Sequence, residues 1–282
     1  MTVLIAGCGD LGTEAGLRYA AYGRDVVGLR RTPEHLPDGI AGHAVDLSQQ
    51  VPDVPANTEI LVIATAADRR TERAYRSAYL DGLSNLLEGL HRKDARPHRV
   101  LLVSSTAVYG ESGGAWVDET TPVSPGSTTA AVLLEAEQLL HRHVPAATVF
   151  RLAGLYGPGR TRLIDQVRNG SADRVGEQPR YTNRIHRDDA AAAIVHLTTA
   201  CDDPGPVYLG SDHAPALRNE VVRFLSVELG VEPPEGGMRT AEPPTGRRCR
   251  NDGLLATGFT FCYPTYREGY RAVIAGQGVR YR

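Results

Sequence analysis

The chain has 282 residues, enough for one large domain or a large domain with a smaller partner. Hydrophobic residues make up 41% and charged residues 23%, a globular balance that excludes disordered and fibrous classes. With 31 basic against 33 acidic side chains the formal charge is −2, so no basic surplus points to nucleic acid or to an anionic membrane.

The opening MTVLIAGCGDLG has no basic n-region before its apolar residues, so no signal peptide is expected. Residues 3–6 predict a first strand, followed by the loop Gly7-Cys8-Gly9-Asp10-Leu11-Gly12 and a helix near 13–22 that stops at Gly23. Further strands are predicted at 25–29, 43–45, 60–64, 100–104 and 148–152. Helices are expected near 71–90 and 129–142, the first with a buried stripe of Tyr75, Tyr79, Leu83, Leu86, Leu87 and Leu90. Another helix starts around Asp188 and Asp189, whose carboxylates suit a first turn. This alternation predicts an α/β fold, a Rossmann-type doubly wound parallel sheet with crossover helices. None of its apolar runs reaches the roughly 20 residues that cross a bilayer, and the expectation is a cytoplasmic protein without a membrane partner.

After about residue 200 the texture changes. Prolines and glycines crowd 231–248, where the repeated Glu-Pro-Pro at 232–234 and 242–244 reads as a loop or linker between helix-like segments at 215–229 and 263–275. Two domains are therefore expected. Residues 1–200 form an NAD(P)-binding Rossmann domain, with 155–185 contributing to the cleft, and residues 201–282 form a small substrate-binding lobe.

The cofactor assignment rests on the glycine loop, which lies between a strand and a helix as a dinucleotide fingerprint requires. Gly7 permits the tight turn, Gly9 lets the backbone approach a pyrophosphate, and Gly12 allows close helix–strand packing. Asp10 and Leu11 complete the loop, and the helix N-terminus offers unpaired N–H groups to phosphate. The second strand ends Gly28-Leu29-Arg30-Arg31, where NAD-binding proteins place an acid for the ribose hydroxyls. Two guanidiniums there suit a 2′-phosphate, so NADP is preferred, with NAD possible. Asp46 and Leu47 follow the third strand as an adenine contact or a simple turn, and Ala64 ends the fourth strand beside the same site.

These motifs continue in order with Ser104-Ser105-Thr106-Ala107-Val108-Tyr109-Gly110, with Arg151-Leu152-Ala153-Gly154-Leu155-Tyr156-Gly157-Pro158-Gly159-Arg160, and with Ile185-His186-Arg187-Asp188-Asp189. The set resembles the NAD-dependent epimerase/dehydratase branch of the extended short-chain dehydrogenase/reductase superfamily over roughly residues 1–200. A weaker resemblance extends through Arg248-Cys249-Arg250-Asn251 and from Gly258-Phe259 to Gly269. It implies an oxidoreductase, epimerase or dehydratase acting on a small oxygenated substrate (a carbonyl, sugar or nucleotide sugar), in a monomer or homodimer. The resemblance matches Ser105 to the family's catalytic Ser/Thr and sets Ser104 and Arg151 near the cofactor. Arg151 either contacts the nicotinamide or makes a buried ion pair. His186 either lines the substrate cleft as an acid/base or packs where the next helix begins.

The chain departs from the family's Tyr-x-x-x-Lys pair. Aligning Glu137 with the family's glutamate puts Thr129 where tyrosine stands and Leu133 where lysine stands, and neither can exchange the proton. No slide of the alignment helps, because Lys93, which lies before the Ser strand, is the only lysine. Tyr109 is a candidate replacement donor or a packing residue.

Cys8, Cys201, Cys249 and Cys262 form no C-x-x-C pair, and His91, His98, His141 and His143 lack ligand spacing, so no metal site is expected. Arg247, Arg248 and Arg250 could hold a substrate anion or form a solvated loop. No Gly-x-Ser-x-Gly elbow appears, so a serine hydrolase is not supported. Two functional classes remain: an NADP-dependent enzyme with displaced proton transfer, or a catalytically silent NADP-binding sensor.

Overall fold

A computed structural model describes residues 1–172, 178–233 and 243–281. In chain order the elements are β1 (Thr2–Ala6), α1 (Asp10–Ala21), β2 (Asp25–Arg30), β3 (Ala41–Ala44), β4 (Thr58–Ile63), α2 (Glu72–Tyr75), α3 (Gly82–Arg92) and β5 (Arg99–Ser105). They continue with β6 (Trp116–Val117), α4 (Thr128–His143), β7 (Thr148–Leu152), β8 (Gly154–Tyr156), α5 (Arg162–Arg168), β9 (Tyr181–Thr182), β10 (Arg184–His186) and α6 (Arg187–Thr199). The last are β11 (Val207–Gly210), β12 (Ala216–Leu217), α7 (Arg218–Leu229), β13 (Arg248–Cys249), α8 (Asp252–Ala256) and α9 (Tyr266–Ile274).

Seven strands form one sheet in the order β11-β7-β5-β4-β1-β2-β3, every neighbouring pair parallel. The chain builds outward from β1 in one direction and then returns to build from β4 in the other. That reversal leaves a crevice between β1 and β4 at the strands' C-terminal ends, where such sheets take ligands. All five residues of β1 are buried because helices cover both faces. On one face α1 and α6 bury Ala15, Tyr19, Ala190 and Ile194 against Ile5 and Val62. On the other, α3 and α4 bury Leu83, Leu86, Ala136 and Leu140 against Leu4, Leu61 and Leu102.

Beyond β7 a smaller cluster gathers Ile164 and Val167 of α5, Val221, Val222 and Leu225 of α7, and Tyr266 and Tyr270 of α9. Leu254, Phe259 and Phe261 return to the main core instead.

Several details differ from the sequence expectation. The sheet extends past residue 200, since β11 pairs with β7 along Val207–Gly210. The edge strand β3 lies at Ala41–Ala44 rather than 43–45; all four of its residues are exposed, so no apolar pattern marks it. The helix expected over 71–90 is broken by a wide turn at Arg76–Asp81, a short stretch of i→i+5 bonding. Half of the Pro/Gly-rich segment, residues 234–242, lies outside the described residues. No helix among the described residues is long and apolar enough to cross a membrane.

Candidate dinucleotide cleft

The three fingerprint glycines meet three different surroundings. Gly7 has φ +84°, and a Cβ there would fall 2.6 Å from the Thr65 amide nitrogen. A Cβ at Gly12 would fall 2.9 Å from the Gly7 carbonyl oxygen and 3.0 Å from Ile5 Cγ2, so α1 packs on β1 at a distance only glycine permits. A Cβ at Gly9 would meet nothing within 4 Å. The space over Gly9 is therefore open, at the N-terminus of α1, where the first backbone N–H groups have no helical partner. The amides of Gly7 and Cys8 both donate to the Leu29 carbonyl at 3.0 Å, which ties the loop to β2. Cys8 is turned inward, and burial pushes its thiol up to about 11, which leaves it unreactive at neutral pH.

Gly7 and Gly9 form one end of a cleft of about 370 Å³. Its remaining walls are Leu29–Thr32 at the end of β2, Val45–Ser48 after β3, the loop after β4 with Ala64, Thr65, Ala66 and Asp68, and Ala74, Ser77 and Ala78 from the helix beyond. Gly7, Gly9, Arg30, Arg31, Asp46, Leu47 and Ala64, all singled out from the sequence, thus come together here. Asp46 also closes a turn, because its Oδ1 accepts from the Ser48 amide at 3.0 Å and from Ser48 Oγ at 2.7 Å. The Arg30 guanidinium is half-buried, and its Nη1 has no hydrogen-bond partner. Its Nη2 donates weakly to Thr32 Oγ1 at 3.4 Å.

Other expected cofactor residues direct their side chains elsewhere. Leu11 packs into the core. Asp10 points toward the chain's C-terminal part, accepting from Arg160 Nε at 2.8 Å, Arg187 Nη1 at 3.0 Å and the Tyr281 amide at 3.3 Å. Ser104 donates to Glu137 Oε1 at 2.5 Å. Arg151 forks onto Glu137, with Nη2 to Oε2 at 2.7 Å, and both side chains are buried. Of the two readings open for Arg151, the buried ion pair is the one found.

The expected catalytic residues diverge as well. Tyr109 is 4% exposed; its phenol accepts from Arg151 Nη1 at 2.8 Å, and burial pushes it up to about 12. His186 is 1% exposed and caps α6 by accepting from the Asp188 amide through Nδ1 at 3.2 Å. Burial lowers its pKa to about 4, against the pull of Asp188, so the ring is neutral. It lies between the rings of Tyr156 at 5.3 Å and Tyr263 at 4.0 Å. Ser105 is half-buried at the end of β5, and its Oγ accepts from the Ala107 amide at 3.2 Å, which leaves its hydrogen able to donate. Leu133 is buried among Val108, Tyr109, Val117, Leu209 and Cys249.

The arginines of the 247–250 segment are engaged locally. Arg247 Nη1 donates to the Gly110 carbonyl at 2.6 Å, Arg248 Nε to the Gly114 carbonyl at 2.8 Å, and Arg250 pairs with Asp252 at 3.4 Å. No group of three or more His, Cys, Asp or Glu among the described residues could hold a metal ion. Thr32, Ser48, Thr65, Asp68 and Ser77 line the cleft without having been anticipated, since only their positions after strands β2, β3 and β4 or in the next helix hint at it.

Comparison with known proteins agrees with this architecture. Protein YeeZ of Escherichia coli K12 is 31% identical over 243 residues, covering 83% of this chain and 85% of YeeZ. A Streptomyces antibioticus protein named as a dTDP-4,6-dihydroxy-2-methyloxan-3-one 4-ketoreductase is 27% identical over 263 residues, covering 86% and 83%. A solved structure from Methylobacillus flagellatus, described as an NAD-dependent epimerase/dehydratase, superposes with a TM-score of 0.82 at 35% identity and covers 98% of both chains. The profile of the NAD dependent epimerase/dehydratase family matches residues 3–209. The chain belongs to the NAD-dependent epimerase/dehydratase family.

Proposed function

We propose that the protein binds NADP in this cleft, in preference to NAD, and uses it as an oxidoreductase or epimerase on a small oxygenated substrate of the nucleotide-sugar class. The observation that carries the reading is the open space over Gly9, facing the free N–H groups of α1 and opening into a cleft lined by Arg30. Those features fit a dinucleotide: the open glycine for the pyrophosphate, the α1 terminus for its charge, Leu47 for the adenine, and Arg30 with Thr32 for a 2′-phosphate. The nucleotide-sugar class is supported by the Streptomyces ketoreductase's named substrate.

When bound, the nicotinamide supplies or receives the hydride. The chain's own share is to hold the substrate oxygen, and Ser105 is the residue we assign to it, because its hydroxyl hydrogen is uncommitted while Tyr109 and His186 are sequestered. Ser105 orients and polarises that oxygen by hydrogen bonding.

Titration of both cofactors tests the reading. A charge-assisted contact contributes about 1.5–3 kcal/mol, so NADP should bind roughly ten- to a hundredfold more tightly than NAD. Arg30→Ala should remove most of that difference while leaving NAD affinity in place. Equal affinities in the parent protein would overturn it. Consumption of NADPH in a screen of dTDP- and UDP-linked ketosugars then tests the substrate class.

A further inference from the structure

The two arginines that end β2 and follow it are held differently. Arg30 is half-buried and keeps Nη1 unpartnered, whereas Arg31 is exposed and has both Nη atoms engaged. Both Nη atoms of Arg31 donate to the Asp68 carboxylate, at 2.8 and 2.9 Å. Arg31 belongs to the wall after β2, and Asp68 to the loop after β4; both line the same cleft. Their bidentate pair therefore ties two walls of the adenosine end together.

With its end-on fork on Asp68, Arg31 offers a 2′-phosphate only its side-on Nε edge and a charge already paired, so recruiting the fork means taking it from Asp68. An unphosphorylated ribose makes no such demand. Resting on the cofactor reading above, we propose that Asp68 is a specificity-determining residue: it holds Arg31 off the 2′-phosphate and so moderates the NADP preference that Arg30 creates. Asp68 acts through Arg31 and is a positioning residue rather than a cofactor contact.

The pair is solvent-exposed, with side chains 60% and 64% accessible, so either residue can be changed without disturbing the core. NADP and NAD are titrated against the parent, Asp68→Asn, Arg31→Ala and the double variant, with thermal melting to verify folding. Asp68→Asn should raise the NADP/NAD affinity ratio by up to about fivefold, the scale of an exposed ion pair released. In the Arg31→Ala background the same change should move that ratio less than about twofold, the limit of ordinary non-additivity. An unchanged NADP/NAD ratio in Asp68→Asn, or a lower one, overturns the proposal. An effect that persists without Arg31 also overturns it, since Asp68 would then act on the phosphate directly. A parent that prefers NADP, with a silent Asp68→Asn, removes only this inference; a parent that binds neither cofactor removes the cofactor reading with it.

Discussion

Burial sets the chemistry of individual side chains in this protein. Glu137 and Arg151 sit in the core with each strong donor answered: Arg151 Nε and Nη2 bond to Glu137, Nη1 bonds to Tyr109, and Ser104 bonds to Glu137. Such a pair is tolerable in the interior because its hydrogen bonding is complete. His186 and Asp212 are buried without full satisfaction, and each leaves one atom, Nε2 and Oδ2, without a partner. Burial lifts Asp212 from 3.8 to about 7, opposed by the Ala214 amide, and lowers His186 from 6.5 to about 4. The two act on stability with opposite sign. Between pH 3.8 and 7 the native state keeps a proton on Asp212 that the unfolded chain has lost, so this contribution falls as pH rises. Between pH 4 and 6.5 the unfolded chain binds a proton on His186 that the native state refuses, so this contribution rises with pH. They oppose each other over pH 4–6.5 in the parent. Relative to the parent, Asp212→Asn should make the melting temperature rise more steeply with pH in that window. His186→Asn, which retains a cap acceptor, should make it fall, each by a few °C. Variants whose slopes depart from the parent in the same direction would contradict the assignment.

At the scale of elements, α4 shows why the family's proton-transfer pair has no counterpart here. Ser127 starts the helix by accepting from the Ala130 amide at 3.2 Å, and Ala130, Val132, Leu133, Ala136 and Leu140 then face inward. At Leu133 an ammonium would be set among the apolar side chains of Val108, Val117 and Leu209 and the Cys249 thiol. Leu133→Lys should therefore cost about 3–5 kcal/mol in urea unfolding, as an uncompensated buried charge does, without creating turnover. A loss under about 1 kcal/mol would mean that the position is solvated. The same element shows what was legible in the sequence. Strands β1, β4, β5 and β7 declare themselves as continuous apolar runs because a parallel sheet is covered on both faces. The exposed edge β3 carries no such pattern, and β11 is apolar but only four residues long, too short to stand out. Glycines and the β2 arginines were readable because the chemistry of the site dictates residue type at a fixed place in the motif. Asp68 and Ser77 were not, since they reach the cleft only through the tertiary path of the chain after β4. The burial of Tyr109 and His186 was equally invisible, because a phenol or imidazole in a motif looks the same whether or not it reaches solvent.

Across the whole molecule, the chain's late segments are tied back to its first loop. Arg187, 1% exposed, donates to Asp10 at 3.0 Å, to Asp188 at 2.6 Å and to the Val279 carbonyl at 2.7 Å, and it stacks over the Tyr281 ring at 5.2 Å. Arg160 holds the other oxygen of Asp10. The loop that carries Gly9 is thus braced by residues more than 140 positions away, which fixes the open face of Gly9 toward the cleft without any contact on that face. The central claim, that this face receives a dinucleotide pyrophosphate, is tested most directly by titrating NADP into the parent protein and into Gly9→Val, with melting of both ligand-free proteins as the control. Since a Cβ at Gly9 meets no atom within 4 Å, the variant should melt close to the parent yet fail to bind NADP. A Gly9→Val protein that binds NADP as tightly as the parent would contradict the account.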